Sequence, residues 1–188
     1  MPFNIYKKIS KNISEDGMIV SSSVFLVRSL VGKIDFSRQL RILEIGSGKG
    51  AFTKELIRGM SDNSTLDVAD IKSEYNPWIN KLIAANPAKK ITLYNCCVTE
   101  LLQDAAKYDV IVSSLPLKNF ENPEDSNAFL SKVIASFKHS LKPGGLYLQY
   151  QYFMSNKGDI ERIFGKAMNE VSFVPLNILP AFVYSMTK

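Results

Sequence analysis

Residues 43–50 read LEIGSGKG, and the placement of this stretch decides the fold. Residues 40–45 are an apolar run of strand length, while residues 52–60 carry apolar positions at helical spacing. Gly46, Gly48 and Gly50 therefore fall in a turn between a strand and a helix. Glycine lets a backbone turn sharply and approach a ligand closely, and the carboxyl end of a strand is where open α/β sheets bind ligands. The spacing G-x-G-x-G, with Glu44 two residues before the first glycine, differs from the G-x-G-x-x-G of dinucleotide loops and argues against a nicotinamide cofactor. Glycines serving only a tight turn are the competing explanation, and the position between strand and helix favours a ligand.

Working outward, the same alternation continues. Residues 66–69 read as a second strand, 78–85 as a helix entered by Pro77, 91–95 as a third strand and 110–113 as a fourth. A helix over 128–140 is expected to stop at Pro143, Gly144 and Gly145, which open a fifth strand over 146–152. A helix near 160–168 precedes two β-rich runs, 171–176 and 181–185, expected to close the sheet as an antiparallel pair. Before the glycine loop, residues 24–31 predict a short helix, N-capped from Ser21, Ser22 and Ser23 and ended by Gly32. The pattern predicts an α/β fold, Rossmann-like and doubly wound, with a mainly parallel seven-stranded sheet and a C-terminal antiparallel strand pair.

A length of 188 residues fits one domain, here a basic segment over 1–14, a helical segment over 15–39 on the substrate side and a ligand-binding core over 40–188. With 46% hydrophobic and 22% charged residues the composition is that of an ordinary globular protein. No apolar run approaches the roughly 20 residues that span a bilayer, and no secretory signal is read, so a cytoplasmic protein is expected. Cys96 and Cys97 are adjacent, which suits no ordinary disulfide, and two are too few for a zinc site; they read as reduced, buried thiols.

Of the net charge of +5, +4 lies in residues 1–41, where seven Lys or Arg face three Asp or Glu. On a helix over 3–13, Phe3, Ile5, Tyr6, Ile9 and Ile13 share one arc, and Lys7, Lys8 and Lys11 lie opposite. Such a helix either packs its apolar face on the domain or lies in the interface of an anionic membrane, where the protein would be peripheral.

Asp70 ends the second strand about 20 residues after the glycine loop, where a carboxylate can accept the ribose hydroxyls of an adenosine ligand. Asp67, inside the strand, and Glu74, beyond it, are its competitors. Residues 108–120, YDVIVSSLPLKNF, read as a strand emptying into Ser113, Ser114, Leu115 and Pro116 at the same sheet edge.

In this order and spacing, LEIGSGKG, Asp70, YDVIVSSLPL at 108–117 and LKPGGLYLQY at 141–150 resemble the class I S-adenosylmethionine (SAM)-dependent methyltransferases. Within them the chain is most similar to the bacterial phospholipid N-methyltransferases. GMIVSSSVFL at 17–26, SSLPLKNF at 113–120, GGLYLQYQY at 144–152 and NILPAFVY at 177–184 carry that similarity. The resemblance implies SAM as cofactor, with Glu44, Gly46, Gly48 and Gly50 around its methionine end and Asp70 on its ribose. It implies further cofactor contacts at Ser47, Cys97, Val98 and Ser113. Two positions depart from the pattern. The acid expected after the third strand is Cys97, so an adenine contact passes to Glu100 or is lost, and the arginine expected before Phe25 is Val24.

Methyl transfer from a sulfonium requires alignment of nucleophile, methyl and leaving sulfur rather than a catalytic triad. For an amine acceptor a proton must leave first. Ser114, Tyr150, Tyr152, Ser22 and Tyr75 are the candidates on the acceptor side, whereas His139, late in a helix, reads as a partner of that helix's C-terminal dipole. The acceptor expected is a phosphatidylethanolamine-type headgroup. The alternatives are an rRNA adenine dimethylase-like enzyme, a small-molecule methyltransferase, and a SAM- or membrane-binding protein without catalysis. RNA is disfavoured because the SLPL turn lacks the stacking aromatic that flipped-base recognition uses, and because no RNA-binding domain follows the core.

Overall fold

The computed structural model describes residues 23–177 and 179–188; the helix expected over 3–13 and the candidate Ser22 lie outside them. β1 (Arg41–Ile45), β2 (Thr65–Ala69), β3 (Lys90–Tyr94), β4 (Tyr108–Ser113), β5 (Leu141–Gln151), β6 (Glu170–Val174) and β7 (Ala181–Thr187) form one sheet. Its order is β3-β2-β1-β4-β5-β7-β6. The first five strands run parallel, and β7 lies antiparallel between β5 and β6. The chain winds outward from β1 to one side and then from β4 to the other, so a topological switch point falls between β1 and β4.

Both faces of the sheet are covered, which is why its strands read as near-continuous apolar runs. α1 (Val24–Val31), α2 (Ala51–Gly59) and α3 (Asn76–Ala84) bury Leu26, Leu30, Phe52, Leu56 and Ile79 against Ile42, Val68, Val112 and Leu148. On the opposite face α4 (Val98–Leu101), α5 (Ala128–Ser140) and α6 (Lys157–Phe164) bury Val98, Leu130, Ile134, Phe137 and Ile160 against Leu43, Ile111 and Tyr147. Period-two alternation along β1 sends Ile42 and Glu44 to the α2 side and Leu43 and Ile45 to the other. Ser23 caps α1 by accepting the Leu26 N–H at 3.2 Å, and Pro77 stands in the first turn of α3, where its missing donor costs nothing.

Three expectations are corrected. The helix α5 spans Ala128–Ser140 as expected, but β5 begins at Leu141 rather than at 146: fully buried Leu141 already pairs with Tyr108. The Pro-Gly-Gly stretch is an irregularity inside the strand, where the Gly144 N–H (φ 72°) bonds the Lys188 carbonyl at 3.0 Å before pairing resumes at Leu146. Helix α6 stops at Phe164 rather than near 168, because Gly165 takes a left-handed φ of 77° and returns its N–H to the Glu161 carbonyl. The two cysteines are half-buried rather than core residues. Among the described residues no helix is long and apolar enough to cross a membrane.

Candidate cofactor and acceptor site

The four central strands end level with one another. The Gly46 N–H bonds the Ala69 carbonyl at 2.8 Å, Asp70 N–H the Tyr94 carbonyl at 3.1 Å, and Ser114 N–H the Ile45 carbonyl at 2.8 Å. The loops after β1, β2, β3 and β4 therefore emerge side by side at the switch point. Gly46 holds φ 76°, and a Cβ there would stand 3.5 Å from Ser114 and 3.6 Å from Leu115, so the turn after β4 roofs the start of the glycine loop. Gly50 holds φ 84°, and a Cβ there would meet Leu82 at 2.7 Å and Ile79 at 3.1 Å. Gly50→Ala is expected to cost about 2 kcal/mol, combining a left-handed alanine with overpacking relieved in part by Leu82. Urea unfolding measures it; a midpoint equal to the wild type's would show that the loop relaxes freely.

Of the three acids singled out around β2, Asp70 is the one that touches the glycine loop. Its carboxylate accepts the Gly48 N–H at 2.8 Å and the Lys72 N–H at 2.9 Å, and its carbonyl accepts Asn95 Nδ2 at 3.0 Å. Asp67 is engaged inside the sheet by the Tyr108 hydroxyl at 2.8 Å, whose phenol is driven far up by burial and then by Asp67 itself. Glu74 is exposed on a single 3-10 turn, Ser73–Tyr75.

Glu44 is fully buried, and neither of its carboxyl oxygens makes a hydrogen bond of good geometry among the described residues, Thr53 being the donor group beside it. Burial pushes its carboxyl up to about 7; Thr53 pulls it back and the nearby charge of Asp70 adds to the rise. Ser47 Oγ, in the glycine loop, and Ser114 Oγ, in its roof, are also buried without partners. A cluster of unsatisfied polar atoms at one strand edge is the signature of a site that a polar ligand completes, because leaving such atoms buried and unpaired costs about 1–3 kcal/mol each.

The remaining candidates surround this centre. Cys97 caps α4 with its thiol 3.3 Å from Thr99 Oγ1, Val98 is buried behind it, and Glu100 is exposed. Ser113 is buried, its hydroxyl accepting the Leu115 N–H at 3.3 Å. Tyr150 stacks on Phe52 of the first α2 turn at 5.6 Å, and Tyr152 meets Tyr150 edge-on at 5.7 Å, so both approach the glycine loop from β5. Burial, reinforced by Tyr150, pushes the Tyr152 phenol well above its usual range, which makes it a hydrogen-bond donor and no base at neutral pH. Tyr75 packs on Trp78 at 6.4 Å beside the Asp70 loop. His139 lies in the last turn of α5, at the start of β5 and thus the opposite edge of the sheet.

Three residues that hold the site together were given no role by the sequence, although Gln149 and Asn177 lie in the stretches 144–152 and 177–184 that carry the resemblance. Asn95 joins the ends of β2 and β3, donating to Asp70 and accepting from Asn76 Nδ2. Asn177 accepts the Ser23 N–H at 2.9 Å and donates to the Leu179 carbonyl at 2.9 Å, tying the start of α1 to the β6–β7 connection. Gln149 is fully buried in β5. The signal available for each was an amide residue at or near the carboxyl-edge end of a strand.

A family model described as a methyltransferase domain matches residues 42–145, more than half of the chain. The chain belongs to the methyltransferase domain family. Its cofactor is S-adenosylmethionine, and the matched span carries the glycine loop, Asp70 and the turn roofing the loop. The fold is similar to that of 1,6-didemethyltoxoflavin-N1-methyltransferase from Burkholderia thailandensis, solved with S-adenosylhomocysteine bound: TM-score 0.72, 13% identity, covering 98% of this chain and 87% of that one. It is also similar to a precorrin-6y C5,15-methyltransferase from Geobacter metallireducens, with TM-score 0.69, 16% identity, and 87% and 88% of the two chains. A SAM-dependent methyltransferase from Aquifex aeolicus superposes with TM-score 0.67 at 12% identity, over 94% and 95%. At these identities the likeness is one of fold. No curated protein matches the sequence.

Proposed function

We propose that this methyltransferase N-methylates the amine of a phosphatidylethanolamine-type headgroup at a membrane surface. The observation that carries this reading is an apolar rim on the cofactor edge. The pairings of Gln151 with Phe182 and of Val174 with Ala181 bring the end of β5 and the β6–β7 connection to the same edge as the glycine loop. Val24 and Phe25 at the start of α1, Phe153 and Met154 after β5, and Leu176 in the connection are all about half exposed or more there. Lys118 stands 5.6 Å over the Phe153 ring, a pairing of cation with aromatic suited to a bilayer interface. The resemblance of the stretches 17–26, 113–120, 144–152 and 177–184 to the bacterial phospholipid N-methyltransferases favours the same acceptor.

In this reading Asp70 holds the ribose, while Glu44, Ser47 and the backbone of residues 46–50 hold the methionine end, with Cys97, Val98 and Ser113 lining the pocket. When bound, SAM supplies a methyl group on a positively charged sulfur. In the same reading Ser114, Tyr150 and Tyr152 hydrogen-bond and align the headgroup, with Ser22 as a further candidate. The amine attacks only in its neutral form, so the rate should rise with pH through the neutral range. The basic segment over 1–14 would draw the protein to anionic lipid at about 1 kcal/mol per lysine near the surface.

The test offers methyl-labelled SAM with vesicles of phosphatidylethanolamine and phosphatidylglycerol, then separates the lipids. Label should enter phosphatidylethanolamine, more with anionic than with neutral vesicles, and less as salt screens the surface charge. Label in RNA or soluble metabolites but none in lipid would overturn the acceptor assignment.

A further inference from the structure

We propose that Gln149, oriented by Tyr147, is a positioning residue for methyl transfer: it fixes the turn after β4 that roofs the glycine loop. This rests on the reading of that turn as the acceptor side of a methyltransferase site. Among the described residues the hydrogen bonds of the Gln149 side chain go to Leu115, Tyr147 and Tyr150 and none to the glycine loop, so its effect passes through Leu115.

The geometry centres on one peptide unit. The Leu115 carbonyl accepts the Leu117 N–H at 2.9 Å across Pro116, whose φ of −75° and ψ of 78° make an inverse γ-turn. The same carbonyl accepts Gln149 Nε2 at 2.9 Å. On the other side of the residue, the Leu115 N–H is held by buried Ser113 Oγ at 3.3 Å. Leu115 is thus gripped at both its donor and its acceptor, each time by a fully buried side chain of a central strand.

The grip of Gln149 has little freedom. Its second amide hydrogen goes to the Tyr150 carbonyl at 2.8 Å, and its Oε1 accepts the Tyr147 hydroxyl at 2.9 Å. Tyr147 is itself fully buried, stacked between Phe137 at 5.2 Å and Phe164 at 5.7 Å. A phenol can both donate and accept, but the carbonyls of Leu115 and Tyr150 require donors, so the amide can be oriented only with its nitrogen toward them. Buried polar chains of this kind impose one arrangement, because any other leaves a donor or acceptor unpaired.

What the grip positions is Ser114 and Leu115. Both lie against Gly46, and Ser114 Oγ is one of the buried, unpartnered atoms of the site. The acceptors that hold the N–H groups of the glycine loop, the Ala69 and Ser47 carbonyls and the Asp70 carboxylate, are independent of Gln149. Releasing Leu115 should therefore disturb alignment above the loop while leaving cofactor affinity nearly intact. Alignment errors of about 1 Å cost on the order of a hundredfold in rate.

The experiment compares wild type with Gln149→Leu, Gln149→Glu and Tyr147→Phe. Each is followed by thermal unfolding, calorimetric SAM affinity, kcat and KM on phosphatidylethanolamine vesicles, and amide exchange at Leu115 and Leu117 in the SAM-bound protein. Gln149→Leu should lower kcat at least tenfold, keep the SAM Kd within threefold and speed exchange at Leu117. Gln149→Glu can donate only when protonated, so its kcat relative to wild type should climb as pH falls, a signature that a purely structural residue would not give. Tyr147→Phe should show a smaller loss of the same kind. Wild-type kcat and Leu117 exchange in Gln149→Leu would overturn the proposal. So would a pH-independent ratio for Gln149→Glu with activity lost only in proportion to folded protein. Failure of the acceptor reading is distinguishable, since wild type would then label no lipid while the exchange comparison still reports on the turn.

Discussion

Asp70→Ala is expected to weaken SAM binding about a hundredfold, with the fold retained. A carboxylate offers about four lone-pair sites, and here the Gly48 and Lys72 N–H groups use one on each oxygen. The two that remain sit at the carboxyl end of β2, in reach of a pair of ribose hydroxyls in the proposed site. Hydrogen bonds to a charged acceptor contribute about 1.5–3 kcal/mol each, and every 1.4 kcal/mol is tenfold in affinity. Losing two of them, at the lower figure, gives about two orders of magnitude. Asp70→Asn keeps an acceptor and should lose less. Calorimetry with SAM measures both, and an Ala variant within threefold of wild type would remove Asp70 from the ribose.

The second large effect concerns Glu44. In the unfolded chain its carboxyl titrates near 4.5, and in the folded protein it is pushed up to about 7 because burial disfavours the charge. The folded state therefore prefers the protonated form. Its contribution to stability is fully present below about pH 4.5 and is lost as pH rises to about 7, for a total of roughly 3 kcal/mol. Glu44→Gln, which cannot ionise, should abolish that slope and leave the SAM-free protein more stable than wild type at pH 8. Ligand should reverse the advantage: the methionine ammonium beside Glu44 in the proposed site favours the carboxylate. Wild type should then release up to about half a proton on binding SAM at pH 7, and more towards pH 6, and the Gln variant none. Titrations in two buffers of different ionisation enthalpy count that proton; equal release from both proteins would place it elsewhere.

The glycine loop, Asp70 and the strand–helix alternation were legible because each writes a local pattern. Doubly covered strands are apolar runs, three close glycines mark one turn, and an acid at a strand end is visible by spacing. The irregular start of β5 was not legible, because Pro143, Gly144 and Gly145 look like a helix stop unless one knows that Lys188 lies alongside. Gln149 and Asn177 escaped for the same reason: Leu115 is 34 residues from the first and Ser23 is 154 from the second, and no local pattern encodes such a pairing. The end of α6 was legible in principle, since Gly165 is a standard helix terminator that a continuing apolar period concealed.

The bond between Ser23 and Asn177 also sets a timetable. A ribosome adding about 5–20 residues per second takes on the order of ten to thirty seconds to make the 154 residues between them. Through that interval Leu26 and Leu30 lack Val174, Ala181 and Val183, part of the surface that buries them in the finished sheet. The residues proposed to hold SAM lie between Glu44 and Ser113, so a nascent chain can complete them while its earliest described helix still awaits its seat. Docking of that helix belongs to the end of folding, and a chaperone that shields it during synthesis would guard the step most exposed to aggregation.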